Sequence, residues 1–185
     1  MNNLPGIKAP RAISEKMLIN ARKLPPEKLG AWFEARSQEL FKHLKEYKRL
    51  TFLRLYDSKS AGAYLPKQPG DFIVASPNDV FLVECKASKT HKSLVSCAAS
   101  NVSKEQAAEH WMWSRSGHTG MFLFISVVTG EIEVWDGKYI GDSRRCGRRI
   151  SKNSPGFITS IQADQYLSLL EALFFEALGR YGENK

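Results

Sequence analysis

The feature that most constrains this chain is an acid and a base placed within an otherwise apolar strand. Residues 80–88 read VFLVECKAS. Because successive side chains of a strand point to opposite faces, Glu84 and Lys86 emerge on one face, whereas Val83 and Cys85 point to the other. A carboxylate among apolar neighbours is costly to bury unless something compensates its charge. The strand therefore predicts a partner for Glu84.

Asp71 is the acid best placed to share such a partner. It opens the preceding strand, DFIVAS, and the turn at residues 77–79 joins the two strands into a hairpin. The hairpin permits Asp71 and Glu84 to face each other across the strand pair. Adjacent carboxylates repel, and a shared proton or a divalent cation relieves the repulsion. Oxygen ligands with no His or Cys nearby favour Mg²⁺ or Mn²⁺ over zinc.

A cation at such a site supports one kind of chemistry in particular. It lowers the pKa of a bound water, holds a scissile phosphate and offsets charge on the leaving oxygen. An ammonium beside it, here Lys86, orients the water or stabilises the charge that develops on phosphorus-bound oxygens. The residues therefore predict hydrolysis of a phosphodiester bond.

Hydrophobic periodicity predicts an α/β (α+β) chain in which a mixed central sheet is flanked by helices. The predicted elements are a helix (26–49), three strands (51–58, 71–76, 80–88), a helix capped by Ser103, two strands (121–128, 131–137) and a closing helix (162–182). We interpret residues 1–185 as a single domain, with 1–25 a basic arm that becomes ordered by docking and 137–156 a basic loop.

The charge balance favours a polyanionic partner. Lys and Arg number 27 against 19 Asp and Glu, which gives a formal net charge of +8 and a pI near 9.4. Such an excess suits nucleic acid but carries no information on sequence preference. The candidate DNA contacts are Lys59, Lys67, Lys89, Arg144, Arg145, Arg148, Arg149 and Lys152. For the arginine-rich segment the alternative is a merely solvated loop.

Localisation is predicted from three cysteines and from what the N-terminus lacks. The cysteines show no zinc-type spacing and cannot all pair with one another, which favours a reducing compartment. The first residues lack the apolar core of a signal peptide, and no apolar run approaches a membrane span. We expect a cytoplasmic protein without a membrane partner.

The two acids and the lysine together resemble the motif of the PD-(D/E)xK nuclease superfamily. Gly70-Asp71 is followed by Glu84-Cys85-Lys86, with Gly70 where the motif name has proline. The order of elements over roughly residues 27–136 also resembles the restriction-endonuclease-like αβββαβ core of that superfamily.

The resemblance implies a metal-dependent endodeoxyribonuclease with Mg²⁺ or Mn²⁺ as cofactor. The catalytic residues that it implies are Glu34, Asp71, Glu84, Lys86 and Gln106. The metal ligands that it implies are Asp71, Glu84, Glu34 and the backbone carbonyl of Cys85.

Within the superfamily, the chain looks most like the RecU and archaeal Holliday junction resolvase branch. ECKASKTHKSL is followed by KEQAAEH, where that branch has a basic loop and then a helix containing His-Gln. The His of that pair is absent here, since Lys104-Glu105-Gln106 occupies the position. The branch implies a homodimer that places two active sites on a branched or four-way DNA junction in recombination and repair.

Other interpretations of the same residues stay open at this stage. The chain could be a sequence- or end-selective nuclease with the same site, or a non-catalytic DNA-binding protein whose acidic pair is structural. Glu34 could be a surface acid paired along its helix, and Gln106 a solvated helix residue. Trp111, Met112 and Trp113 could stack on bases or belong to the core.

Overall fold

The structure, a computed structural model, describes residues 12–56 and 68–175. Two candidate DNA contacts, Lys59 and Lys67, lie outside these ranges. The described strands are β1 (Thr51–Arg54), β2 (Phe72–Ala75), β3 (Val80–Ser88), β4 (Thr119–Ser126), β5 (Glu131–Asp136) and β6 (Phe157–Gln162). The described α-helices are α1 (Glu15–Arg22), α2 (Pro26–Lys48), α3 (Leu94–Asn101), α4 (Lys104–Arg115), α5 (Gly137–Arg145) and α6 (Tyr166–Phe175).

The six strands form one mixed sheet in the order β1-β2-β3-β4-β5-β6. Every neighbouring pair is antiparallel except β3 and β4, which run parallel. A parallel pair needs a long crossover, and helices α3 and α4 supply it. The predicted α/β class, a mixed sheet flanked by helices, is confirmed.

The helices divide between the two faces of the sheet. Helices α1, α2 and α6 cover one face, where Phe33, Phe41 and Val83 belong to the larger apolar cluster. Helices α3, α4 and α5 cover the other face, around Phe122 and Trp135. Because β3 lies inside the sheet, its side chains alternate between the two clusters, and a polar side chain on β3 is enclosed by a helix.

Several predicted elements are confirmed with their capping chemistry. Helix α2 begins at Pro26, a residue suited to the first turn because the amide proton it lacks has no partner there. Ser103 caps α4 in a reciprocal capping box: its side chain accepts from the Gln106 amide, and the Gln106 side chain accepts from the Ser103 amide. The hairpin turn closes where Ser76 N donates to Asp79 O at 3.0 Å.

The interpretation of residues 1–25 as a basic arm is wrong for its second half. Residues 15–22 form α1, with Ser14 as the N-cap, and Leu18 and Ala21 are buried in the larger apolar cluster. Arg22 contributes to this docking because its guanidinium donates to the carbonyls of Val127 and Val128. The sequence pattern missed α1 because a helix this short shows few apolar positions.

The interpretation of residues 137–156 as a loop is wrong for residues 137–145, which form α5. Asp136 caps the helix by accepting from Tyr139 N at 2.9 Å. Gly141 faces α4 closely enough that an added Cβ would lie 2.6 Å from the Ala107 carbonyl oxygen and the Trp111 Cβ. The glycines of this segment favour a loop in the sequence pattern, but here they permit close packing of two helices.

Two further elements were missed, α3 and β6. Helix α3 lies in the stretch 88–102 that its composition assigned to a polar connection, and Ser93 caps it by accepting from Val95 N. Strand β6 pairs with β5 at the edge of the sheet and has a mostly half-exposed face. Both elements depend on contacts with the sheet more than on a strong local pattern.

Candidate active site

Glu84 and Lys86 form an ion pair on the central strand, on the face covered by α4. Glu84 is 2% exposed, and its Oε1 lies 2.6 Å from Lys86 Nζ. The Gln106 side-chain amide donates to the same oxygen at 2.5 Å. The second oxygen of Glu84, Oε2, is buried without a hydrogen-bond partner among the described residues. A buried carboxylate oxygen of this kind is costly unless it has a further ligand.

Gln106 holds the ion pair and the start of α4 together. Its Oε1 accepts from Lys86 Nζ and from the Ser103 amide, both at 3.2 Å, while its Nε2 donates to Glu84. The Gln106 side chain therefore accepts a hydrogen bond from the lysine and donates one to the acid. The predicted catalytic glutamine therefore contacts two residues of the motif, Glu84 and Lys86.

Asp71 lies immediately before β2, and its backbone continues the pairing with β3. Asp71 N donates to Val83 O at 3.0 Å, and Asp71 O accepts from Leu55 N at 2.8 Å. The Asp71 side chain accepts from Cys85 N at 2.7 Å. The register in which Phe72 faces Val83 makes Asp71 and Glu84 the next opposed residues. The hairpin thus places Asp71 and Glu84 opposite each other on neighbouring segments.

The carboxylates repel one another in a buried setting. Burial raises the pKa of Asp71 well above its ordinary value, and the neighbouring Glu84 and Glu34 raise it further. Burial likewise raises the pKa of Glu84, although its ion pair with Lys86 acts in the opposite direction. A cation between the acids would remove this penalty.

Glu34 reaches the site from α2 but is already paired. Arg54 Nη2 donates to Glu34 Oε2 at 2.8 Å, and Arg54 Nη1 donates to Gln38 Oε1 at 3.1 Å. Arg54 is not among the site residues predicted from the sequence. Alternation along β1 contains the signal, because Arg54 shares the inward face with Phe52, and a charge on an inward face needs a partner.

Cys85 contributes to the site through its backbone, since its side chain points into the core. Burial raises the pKa of the Cys85 thiol well above its ordinary value, which keeps it protonated. Its Sγ contacts Ser37 Oγ at 3.6 Å, and Ser37 Oγ lies 2.8 Å from the Tyr166 hydroxyl. These buried polar groups fix α2 and α6 against the back of β3, one helical turn from Glu34.

The donor set fits Mg²⁺ better than zinc. Among the described residues, no three His, Cys, Asp or Glu side chains form a ready-made metal cluster. Magnesium is ordinarily bound by one or two carboxylates and completes its octahedron with water and substrate oxygens. Asp71 and the unpartnered oxygen of Glu84 would meet that requirement, and the Cys85 carbonyl and Glu34 are the further ligands predicted from the sequence.

The predicted DNA contacts differ in how far they are exposed and in their contacts within the fold. Lys152 pairs with Glu133 at 2.7 Å and with Glu131 at 3.2 Å, so its charge is neutralised within the fold. Lys89 donates to the Leu24 carbonyl at 3.1 Å. Arg145, Arg148 and Arg149 are exposed, and Arg144 is half-buried at the end of α5. Three arginines of this segment are therefore available at the surface.

His110 was given no role, and it lies in the interior one helical turn after Gln106. It is 0% exposed, stacks against Phe122 with ring centroids 4.3 Å apart, and neither ring nitrogen has a partner among the described residues. Burial lowers the pKa of His110 to about 3, so the ring is neutral. A neutral imidazole here serves packing beneath the site.

Comparison with known proteins gives likenesses to solved structures alone. No protein-family model matches the chain, and no curated protein matches it. One solved structure with a similar fold is the 1.6 Å structure of Archaeoglobus fulgidus Hjc, a Holliday junction resolvase from an archaeal hyperthermophile. The TM-score is 0.41 and the identity 12%, over 76% of this chain and 93% of that one. The function proposed below therefore rests on this chain's own residues.

Within residues 12–56 and 68–175, no helix combines the length and apolar composition needed to cross a membrane.

Proposed function

We propose that this chain is a Mg²⁺-dependent DNA endonuclease that hydrolyses phosphodiester bonds, with Asp71, Glu84 and Lys86 at its centre. The observation that carries the proposal is Glu84 Oε2, a buried carboxylate oxygen with no hydrogen bond or ion pair among the described residues, opposite a second, half-buried acid, Asp71. A purely structural acid in this position would be expected to have a hydrogen-bond donor or a cation at each oxygen.

Each residue has a distinct part in the proposed reaction. Asp71 and Glu84 would hold Mg²⁺, together with the Cys85 carbonyl, while Glu34 adds negative charge at the rim. The bound cation would lower the pKa of a water and neutralise charge on the phosphate. The Lys86 side chain is less buried than that of Glu84, 17% exposed against 3%, and it is suited to orient the attacking water or to stabilise the pentacovalent phosphate. Gln106 holds the side chains of Lys86 and Glu84 in place through a hydrogen bond to each.

Branched DNA is the substrate that we propose, because a twofold pair of these sites suits a nearly symmetric four-way junction. The proposal includes a homodimer that makes one nick with each protomer. A role in recombination and repair of DNA follows from that substrate. The net charge of +8 supports a polyanionic substrate but does not select a junction over a linear duplex.

The test is cleavage of a labelled synthetic four-way junction beside a linear duplex of matched sequence. Wild type is expected to cut the junction with Mg²⁺ and to be inactive with EDTA. Asp71→Asn should lower the cutting rate at least about 1000-fold, because it removes a metal ligand. The matched control is Glu39→Gln, which neutralises an acid on α2 that pairs only with Arg36.

Three results would redirect the proposal. Bands at fixed sites in a plasmid digest, with equal cutting of junction and duplex, would indicate a sequence-selective nuclease. Cutting from ends only would indicate an exonuclease. Tight DNA binding with no cutting at any divalent cation, unchanged in Asp71→Asn, would leave a non-catalytic DNA-binding protein.

A further inference from the structure

Two guanidinium groups lie over the ring of a tryptophan on α4. The Cζ atom of Arg145 lies 4.1 Å from the centroid of the Trp111 ring, and that of Arg115 lies 5.3 Å from it. Trp111 itself is half-buried, while both arginines are exposed. The sequence analysis considered Trp111 for base stacking and did not select Arg115.

Stacking leaves the hydrogen-bonding capacity of these arginines unused. A guanidinium that lies on an aromatic face keeps its N–H donors in its own plane, where they remain free for a carboxylate or a phosphate. The other side of the molecule differs: Arg36 and Arg54 each bond a glutamate. Among the described residues, neither Arg115 nor Arg145 has an ion pair with a carboxylate.

The chain next to Arg145 adds charge of the same sign. Residues 143–151 contain four arginines and no acidic residue. Arg148 and Arg149 are exposed. Clustered like charges are unfavourable unless a polyanion or salt screens them. The surface formed by Trp111, Arg115, Arg145, Arg148 and Arg149 is called the arginine platform below.

The packing of two helices fixes the platform relative to the active site. Gly141 lets α5 approach α4 at Trp111, so that the end of α5 lies over the indole. Gln106, which contacts Glu84 and Lys86, is on the same helix as Trp111. Trp111 lies five positions after Gln106, a rise of about 7.5 Å along an α-helix. One DNA duplex is wide enough to cover both places.

We propose that the arginine platform binds the phosphodiester backbone of DNA beside the cleavage site. This proposal rests on the proposed function for its choice of polyanion. Arg145 and Arg115 present planar donor pairs that match the two free oxygens of a phosphate, and the indole holds them in place. The contact is with phosphate rather than base edges, so it adds affinity without sequence preference.

The test measures binding without cutting. A fluorescein-labelled junction and a duplex are titrated in EDTA, and anisotropy is followed from low to moderate salt. Arg115→Gln/Arg145→Gln is expected to bind at least about tenfold more weakly, and the slope of log K against log salt should fall by about 2. Trp111→Ala should weaken binding less, and Trp111→Phe should restore most of it.

The matched control removes the same charge from the opposite face of the sheet. Lys42→Gln/Lys45→Gln changes two exposed lysines of α2, and it should leave affinity within about twofold and the slope nearly unchanged. Circular dichroism and thermal melting confirm that each variant is folded. An equal loss in the α2 variant, or no loss in the platform variant, would overturn the proposal.

The two proposals can fail separately. If wild type binds through the platform but cuts no DNA with any divalent cation, the nuclease proposal fails and the platform stands. If wild type cuts DNA and the platform variants bind normally, the platform proposal fails and the nuclease stands.

Discussion

Two buried acids lie on the same face of the sheet, and each is bonded to a lysine. Glu84 on β3 pairs with Lys86, and Glu133 on β5 pairs with Lys152. Phe124 of β4 separates the two pairs, because it faces Lys86 on one side and Glu133 on the other. The two acids have nearly the same burial, 2% and 0% exposed. Burial therefore does not distinguish them, and their bonding does.

Each oxygen of Glu133 has a polar contact: hydrogen-bond donors at Oε2, and at Oε1 an ion pair with Lys152 that lacks hydrogen-bond geometry. Its Oε2 accepts from the Ser93 hydroxyl at 2.9 Å, from Leu94 N at 3.0 Å and from the Trp135 indole at 2.9 Å. Its Oε1 contacts Lys152 Nζ at 2.7 Å. This acid joins the start of α3, the sheet and the segment after α5 into one unit.

Glu84 has its donors on one oxygen, and its neighbour across the strand pair is another acid. The difference lies in the second oxygen: that of Glu133 has an ion pair with Lys152, whereas that of Glu84 has neither a hydrogen bond nor an ion pair among the described residues. A buried acid with a contact on each oxygen is typical of a structural role, and an acid with one oxygen uncompensated beside a like charge is typical of a functional site. By this criterion Lys152, predicted to contact DNA, belongs to the structural cluster.

The largest effect expected is on catalysis. Glu84→Gln should lower Mg²⁺-dependent cutting at least about 1000-fold, equivalent to about 4 kcal/mol of transition-state stabilisation, because it removes a metal ligand. Glu133→Gln should retain the rate within about threefold. Gel assays of nicking under single-turnover conditions measure both. Equal losses would remove the distinction between the two acids.

The second effect is on the free energy of unfolding. Here the change at Glu133 is expected to have the larger effect and the change at Glu84 the smaller one. Glu133→Ala should lower the free energy of unfolding by about 3 kcal/mol, because it leaves Trp135 Nε1, Leu94 N and the Ser93 hydroxyl without their acceptor. Glu84→Gln should change it by less than about 1 kcal/mol, because relief of repulsion with Asp71 offsets the lost ion pair. Urea unfolding in EDTA measures both, and a larger loss in Glu84→Gln would contradict the comparison.

The third effect is a dependence of stability on pH. It arises at His110, which lies beneath Glu84. Burial lowers the pKa of His110 to about 3 from 6.5. At pH 5 the unfolded chain binds a proton at this residue and the folded chain does not, so stability falls as pH falls from 6.5 toward 3. Between pH 7 and pH 5 this group should cost about 2 kcal/mol.

The variant His110→Phe isolates that dependence, since phenylalanine fills similar space and does not titrate. The difference in unfolding free energy between wild type and His110→Phe should grow by about 2 kcal/mol in favour of the variant on going from pH 7 to pH 5. Urea unfolding at both pH values measures it. A difference independent of pH would show that His110 is accessible to protons in the folded state.

The smallest effect is the response to metal. A cation that binds the folded chain alone adds about 1.4 kcal/mol at ten times its Kd, which raises Tm by about 3 °C for a chain of this size. Glu133→Gln should keep this rise in MgCl₂ over EDTA, and Glu84→Gln should lose it. Differential scanning calorimetry measures the shift. A rise that survives in Glu84→Gln would place the cation elsewhere.

Much of the site could be predicted because it depends on local backbone geometry. Alternation along β3 puts Glu84 and Lys86 on one face, and the hairpin register puts Asp71 opposite Glu84. The Ser103 cap fixes where α4 begins, and with it the position of Gln106. Each relation is set by strand periodicity, a turn or a helix end, which neighbouring residues determine.

The tertiary structure decided what the local pattern could not. The pairing of Lys152 with Glu133, the ion pair of Glu34 with Arg54 and the approach of Arg145 to Trp111 each join separate elements. Their formation depends on how helices pack on the sheet, and residue types alone do not encode that packing. The sequence by itself therefore determined which charged groups emerge together on β3. Packing determined which of the remaining charges are neutralised inside the fold and which stay free at its surface.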